Sequence, residues 1–225
     1  MSDDLASGDF AVVGTDTGVG KTVVTAGLVG WLRDAGVDAR AVKPCQTGYP
    51  PDDDARFVVD ACDNGDAATC LRRLEPALAP AVAADRTGET LRYEDLLAGC
   101  RSALAGAEVG VVEGIGGLRV PVADGREVLD LVADLGVPAL VVSRSGLGTL
   151  NHTALTVDAL RRRDVPVHGV VLNEYEGDGL AERTNPAAIE RMTDCPVRTL
   201  PPISVDPPTD VPERVSTELP ASVLP

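Results

Sequence analysis

The stretch Gly14-Thr15-Asp16-Thr17-Gly18-Val19-Gly20-Lys21-Thr22 limits the possible folds of this chain more than any other. It follows the apolar run Phe10-Ala11-Val12-Val13 and opens a helical pattern, Thr22 to Ala35, in which Val23, Ala26, Leu28, Val29 and Trp31 can pack. A strand, a glycine-rich turn and a helix N-terminus in that order make a cradle for phosphate. The glycines let backbone N–H groups approach the anion, the helix end adds positive partial charge, and Lys21 adds a full one. Thr22 is placed to offer its hydroxyl to a phosphate-bound Mg²⁺. A strict spacing of this motif puts its first glycine at position 15, where the chain has Thr15; Gly14 comes one residue early, so the loop is a variant. A turn that merely packs a strand on a helix is the weaker reading of Gly20-Lys21-Thr22 in this context.

Composition adds a second candidate. Of the 20 basic residues only two, Lys21 and Lys43, are lysines; the other 18 are arginines. An ammonium is a compact point charge that fits between phosphate oxygens, whereas a guanidinium is a wide planar fork. Lys43 is therefore a site candidate on chemistry alone. The net charge of −15 disfavours nucleic acid and anionic membranes as partners. Acidic runs such as Asp52-Asp53-Asp54, arginine in place of lysine and few aromatics resemble the solvated surface of a halophile's protein. Five cysteines, odd in number and without a Cys-x-x-Cys pair, predict reduced thiols in a cytoplasm. With no long apolar run, signal peptide or lipidation motif, a soluble protein that is not exported is expected.

At 225 residues the chain suits one well-buried α/β domain. Short valine-rich runs, apolar on both faces, predict strands at Phe10–Val13, Ala39–Val42, Val109–Val112, Ala139–Ser143, Gly169–Leu172 and Val197–Leu200. Helical patterns lie between them near Thr22–Ala35, Ala55–Ala61, Tyr93–Leu104, Val128–Leu135, Asn151–Arg163 and Pro186–Met192. The alternation predicts a doubly wound, mostly parallel α/β sheet of the P-loop NTPase type, a single domain over residues 1–203. The proline- and acid-rich stretch 204–225 reads as a tail that wraps the surface or is partly disordered.

Ligands of such sheets gather at the carboxyl ends of the strands. Past the second strand come Lys43-Pro44-Cys45-Gln46-Thr47-Gly48 and the acids ending at Asp54. Past the third come Glu113-Gly114-Ile115-Gly116-Gly117. Past the fourth lies Arg144 to His152, past the fifth Asn173-Glu174, and past the sixth Pro201-Pro202. Glu113 and an acid of the 52–54 run, with Thr22, offer the oxygen-rich, part-hydrated coordination that Mg²⁺ prefers. Lys43 can neutralise charge on a transferring phosphoryl group. Thr47 can orient a substrate, and Asn173 can read an adenine edge with donor and acceptor together. His152 reads as a cap or packing residue and His168 as structural.

At this point the sequence resembles the dethiobiotin synthetase family over nearly its whole length. The resemblance is carried by GTDTGVGKT at 14–22, KPCQTG at 43–48, Asp54-Ala55, EPALAPAVAA at 75–84, VEGIGG at 112–117, GLGTLNH at 146–152 and Asn173. It implies an ATP- and Mg²⁺-dependent ring closure of 7,8-diaminononanoate with CO₂, through a carbamate and a carbamic–phosphoric anhydride. It implies Lys21 and Lys43 as catalytic residues and Thr22, Asp54 and Glu113 as metal ligands. Nucleotide contacts would come from Gly18, Val19, Gly20, Lys21, Thr22, Val23, Asp54, Glu113, Gly114, Ile115, Gly116, Asn173, Glu174, Pro201 and Pro202. Thr17, Lys43 and Thr47 would contact the diamine or its carbamate. Gly148, Thr149, Leu150 and Asn151 would take the substrate carboxylate across a homodimer interface, where N–H groups at a helix start suit an anion. Arg198 stands where a glycine is common, Thr47 where serine is frequent, and the stretch from 204 has no counterpart.

Three other readings compete. A partition-type dimeric ATPase needs a lysine five residues before Lys21, where this chain has Asp16. A cobyrinate-type amide synthase needs a glutaminase domain, for which there is no room. A non-catalytic nucleotide-binding module would not need both lysines and Glu113.

Overall fold

Strands that are apolar on both faces are stable only in a sheet covered on both sides. The computed structural model describes residues 8–225 and shows such a sheet. In chain order the first half comprises β1 (Phe10–Gly14), α1 (Lys21–Asp34), β2 (Ala39–Lys43), β3 (Gln46–Thr47), α2 (Asp54–Ala61), β4 (Ala68–Cys70), β5 (Arg73–Leu74), α3 (Pro80–Thr87) and α4 (Tyr93–Leu104). The second half comprises β6 (Val109–Gly117), β7 (Pro121–Ala123), β8 (Arg126–Glu127), α5 (Val128–Leu135), β9 (Ala139–Arg144), α6 (Thr149–Arg161), β10 (Val167–Asn173), α7 (Leu180–Thr193), β11 (Val197–Thr199) and α8 (Val211–Glu218). Seven strands form one sheet in the order β11-β10-β9-β1-β6-β2-β4, and all its pairings are parallel. β3 and β5, and β7 and β8, form two small ribbons beside it.

The pleat of β1 divides the core. Ala11 and Val13 face the layer containing Leu96 and Leu97 of α4, Leu131 of α5 and Leu160 of α6. Phe10 and Val12 face the layer of α1, α2 and α8. The strand at the centre is thus covered on both faces, and its C-terminal end delivers the glycine-rich loop to the middle of the sheet edge.

Local differences from the pattern-based reading have physical causes. β4 was not predicted, because Ala68-Thr69-Cys70 is a short, part-exposed edge strand without an apolar run. β6 does not stop at Val112 but continues to Gly117, so Glu113 lies within the strand and pairs with Val12. α6 begins at Thr149, two residues earlier than expected. α7 runs from Leu180 with Pro186 inside it, whereas the pattern alone puts this proline at the first helical position; its missing N–H forgoes one backbone bond. α3 lies within the Glu75–Ala84 segment and beyond, and was not predicted.

The stretch from 204 packs against α1. Val211, Val215, Leu219, Val223 and Leu224 are buried in the same layer as α1. Gly27 and Gly30 on α1 make this approach possible: a Cβ built at either would stand 2.3 Å from a carbon of Val215 or Pro212. Each fully buried apolar side chain contributes roughly 1.5–3 kcal/mol, against a domain stability of about 5–15 kcal/mol. Truncation before Pro207 should therefore abolish the cooperative thermal transition followed by circular dichroism, or lower its midpoint by more than about 10 °C. An unmoved midpoint would show that α8 adds nothing to the fold.

Candidate active site

The phosphate loop starts where β1 ends, with Thr15 N–H donating to Val142 O at 3.0 Å. Gly18 (φ 71°) and Gly20 (φ 90°) take the left-handed backbone region that turns the loop into α1. Gly20 caps α1 and offers no side-chain acceptor, so the first N–H groups of the helix are left without a capping side chain. Lys21 curls back over the loop, its Nζ donating to Asp16 O at 2.9 Å. A Cβ at position 14 would stand 2.7 Å from that nitrogen, which accounts for the glycine one residue early. Burial, and then the nearby Lys43 charge, lower the Lys21 pKa to about 8.

A buried ion cluster lies beside the loop. β2 and β6 are parallel neighbours with Val42 opposite Val112, so the next residues, Lys43 and Glu113, emerge together. Lys43 Nζ donates to Glu113 Oε1 at 2.9 Å and to Gly114 O at 3.2 Å, and it also contacts the Asp54 carboxylate. Thr22 Oγ1 donates to the same Glu113 Oε1 at 2.8 Å. Glu113 is 2 % exposed and Lys43 5 %. Burial would strip the Lys43 proton, but Glu113 and Asp54 outweigh it and hold the pKa up at about 12. Burial raises the Glu113 carboxyl. It pushes Asp54 the same way, but Lys43 prevails and holds Asp54 below the usual carboxylate range.

Within the acidic run the three aspartates have separate tasks. Asp53 caps α2 and pairs with Arg73, and Asp52 lies against Gly48, leaving Asp54 to face Lys43. Gln46 fixes this arrangement: its Oε1 accepts from Asp54 N–H at 3.0 Å, and its Nε2 donates to Thr47 O at 3.0 Å. Among the described residues no three His, Cys, Asp or Glu side chains gather as a metal cage. The donor set at this cluster is the Thr22 hydroxyl with two carboxylates. It fits Mg²⁺, which takes one or two carboxylates and completes its shell with water and phosphate oxygens.

These groups open on a cleft of about 880 Å³. Thr17, Gly18, Gly20, Lys21, Thr22, Val23, Lys43, Thr47, Asp54, Ile115, Gly116, Asn173 and Glu174 line it, so residues read from four of the six strand ends share one cavity. Both lysines of the chain are among them. Glu113 and the Gly114 carbonyl lie behind Lys43, while Val19 turns its carbonyl to Asn173 Nδ2 at 3.2 Å. Pro201 and Pro202 line a separate depression of about 410 Å³ with Arg214 and Glu213 of α8. Gly148 to Asn151 lie outside the cleft lining. The Thr149 hydroxyl is buried in a chain with Ser143 (2.8 Å) and Thr153 (3.3 Å), and Ser143 reaches Thr15 of the phosphate loop at 3.0 Å. His168 bonds Ser222 O at 3.1 Å. Sequence reasoning gave no role to Gln46 or to the Leu78 and Ala79 wall of the cleft, although both stand in stretches that carried the resemblance. Nor did it find the Asp16–Arg144 pair (3.0 Å), which no local spacing announces.

A seven-stranded parallel sheet with a glycine-rich loop at its central strand, a lysine over that loop and a carboxylate cluster beside it defines a P-loop nucleotide-dependent protein. The chain matches the family described as an AAA domain over residues 9–205. It is 65 % identical over 212 residues to the ATP-dependent dethiobiotin synthetase BioD of Haloferax mediterranei, covering 94 % of this chain and 91 % of that one. It is 36 % identical over 195 residues to the protein of the same name from Bacillus velezensis, covering 84 % and 83 %. The chain belongs to the dethiobiotin synthetase family. Among solved structures, a ParA family ATPase from Chlorobium tepidum superposes with a TM-score of 0.60 at 12 % identity, covering 97 % and 90 % of the two chains. The Mg-ADP complex of the septum site-determining protein MinD of Pyrococcus horikoshii gives 0.57 at 17 % identity, covering 95 % and 86 %. At such identities the likeness is one of fold.

The lowered Lys21 pKa has a measurable sign. Between about 8 and the unperturbed 10.5 the folded chain has released a proton that the unfolded chain keeps. That contribution to stability is thus present above 10.5, is lost as pH falls toward 8, and does not change below it. A bound triphosphate restores the charge, so nucleotide binding at about pH 9 should take up a fraction of a proton per site, and almost none at about pH 6.5. Titration calorimetry in two buffers of different ionisation enthalpy reads this uptake, and Lys21→Met should remove it.

Proposed function

We propose that this chain is an ATP-dependent cyclo-ligase that closes the ureido ring of dethiobiotin in biotin biosynthesis. The observation that carries the reading is that the only two lysines of the chain open on one cleft beside a Thr–Glu–Asp oxygen cluster. Family membership over nearly the whole chain supports it.

One amine of 7,8-diaminononanoate adds to CO₂ and loses a proton, giving a carbamate. A carbamate oxygen attacks the γ-phosphorus of ATP in line, and ADP leaves. The second amine attacks the carbamoyl carbon, phosphate departs, the amine loses its proton, and the five-membered urea is complete. A carbamate is a weak nucleophile, so positioning and charge neutralisation must supply most of the rate. Lys21 binds the β- and γ-phosphates from the loop side. Lys43, kept fully charged at a pKa of about 12, stands opposite and meets charge on the carbamate and the transferring phosphoryl group. Thr17 and Thr47 orient the diamine from the two walls of the cleft. Asn173 and Glu174 read the nucleotide base from the cleft, whereas Pro201 and Pro202 line the separate depression beside α8 and leave the base contact to these two.

Mg²⁺ held by Thr22, Asp54 and Glu113 would supply charge neutralisation on the phosphates. Lys43 would then share both carboxylates with the metal.

The same reading takes the protein to be a homodimer in which Gly148, Thr149, Leu150 and Asn151 of each protomer receive the substrate carboxylate of its partner. Leu147, 87 % exposed beside them, and Leu155 and Leu180 on α6 and α7 give that face an apolar character suited to a second copy. The five cysteines are free, and among the described residues no helix is long and apolar enough to cross a membrane. The same reading takes the enzyme to be cytoplasmic, with neither nucleic acid nor a membrane as partner, on the ground of its net charge of −15. Where a partition-type switch would carry a lysine, Asp16 is paired with Arg144.

Incubation with ATP, Mg²⁺, bicarbonate and 7,8-diaminononanoate in high salt should yield dethiobiotin by mass; its absence removes this reading. Lys43→Ala should cut turnover by at least about 1000-fold. Lys43→Arg should be nearly as damaging, since a planar fork does not fit the space between Glu113 Oε1 and Gly114 O. Substantial turnover by the arginine variant would undercut the argument from a compact charge.

A further inference from the structure

Asn173 ends β10 and is 6 % exposed. Its side-chain amide faces the carbonyl of Val19, in the middle of the phosphate loop, at 3.2 Å. A carbonyl can only accept, so the group turned toward it must be the NH₂, which fixes the orientation of the amide. The second N–H and Oδ1 remain for a ligand. The contact is packed as well as polar: a Cβ at Gly20 would stand 2.0 Å from Asn173 Nδ2, so Asn173 occupies the space that the bare Gly20 leaves. Its own position is braced in turn. Glu174 takes a left-handed backbone (φ 54°), its carbonyl receives Ser145 Oγ at 3.0 Å, and Tyr175 N–H donates to Leu200 O at 2.9 Å.

We infer that Asn173 is a positioning residue for the phosphates. By holding Val19 O and filling the space beside Gly20, it keeps the 18–20 turn in the conformation whose N–H groups donate to the β- and γ-phosphates. This deepens the nucleotide site of the preceding reading and needs nothing from the diamine. The nucleotide base and the phosphate cradle then meet at one side chain, so a base that engages Asn173 acts on the loop directly. A residue that only read the base would leave phosphate binding untouched.

A ligand without a base separates the two roles. Magnesium tripolyphosphate and MgATP are titrated calorimetrically into the full-length wild type, Asn173→Ala and Asn173→Asp. The aspartate keeps the shape that packs on Gly20 but opposes an acceptor to Val19 O, and so tests the bond should the alanine variant not fold. Tripolyphosphate affinity is expected to fall about tenfold in each variant, with ATP affinity falling at least as far. Tripolyphosphate affinity within about twofold of wild type overturns the proposal. With ATP weakened, that result leaves Asn173 as a base reader alone; with only the melting temperature lowered, it leaves a structural residue. Failure of the wild type to make dethiobiotin would remove the synthetase reading and leave this comparison standing, because neither titrant involves the diamine.

Discussion

The contact between Lys43 and Glu113 is the constraint on which the rest of the structure turns. A lone carboxylate at this depth costs several kcal/mol, and an unpaired ammonium costs a similar amount. Either residue is tolerable only beside the other. Their meeting depends on strand order and register: β2 must lie next to β6, in parallel, with Val42 opposite Val112. Any slip by one residue would turn one of the two charges into an apolar layer. The ion pair therefore ties the topology of the sheet to the chemistry at its edge, and Thr22 and Asp54 extend it to the loop and to α2.

That arrangement also gives the two lysines different characters. Lys43 is surrounded by carboxylates and stays charged at any physiological pH, whereas Lys21 faces mainly its own loop and, with its pKa lowered to about 8, loses its charge a little above neutral pH. One is a fixed charge and the other responds to the arrival of an anion. Every other basic residue of the chain is an arginine, so this asymmetric pair holds its only lysine side chains.

Much of this was legible in the residues. Valine-rich runs gave six of the seven strands of the main sheet, because strands covered on both faces carry an uninterrupted apolar signal. Ala68–Cys70 carries none, since an edge strand half open to water needs no such run. Glu113 was recognised as a site residue but placed past its strand; the glycines around it suggested a loop, whereas they continue β6 while leaving its inner face free for Lys43. The stretch from 204 reads as a tail because prolines and acids dominate it. Its few apolar residues, Val211, Val215 and Leu219, recur every four, and they find two glycines on α1 that no local pattern connects with them. In the site, Lys21, Lys43, Thr22 and Asp54 were legible as chemistry. The bonds from Asn173 to Val19 and from Arg144 to Asp16 were not, because each joins loops that only the folded sheet brings together.

The bare start of α1 has a consequence for how this protein meets its medium. With Gly20 in the capping position, several amide hydrogens and Lys21 converge on a place that fits any small tetrahedral oxyanion. Sulfate or orthophosphate in the surroundings will compete there with the nucleotide, whereas chloride, spherical and weakly held by such a cradle, will not. The kind of anion in the medium, and not its ionic strength alone, thus bears on how much of the protein is free to bind a nucleotide.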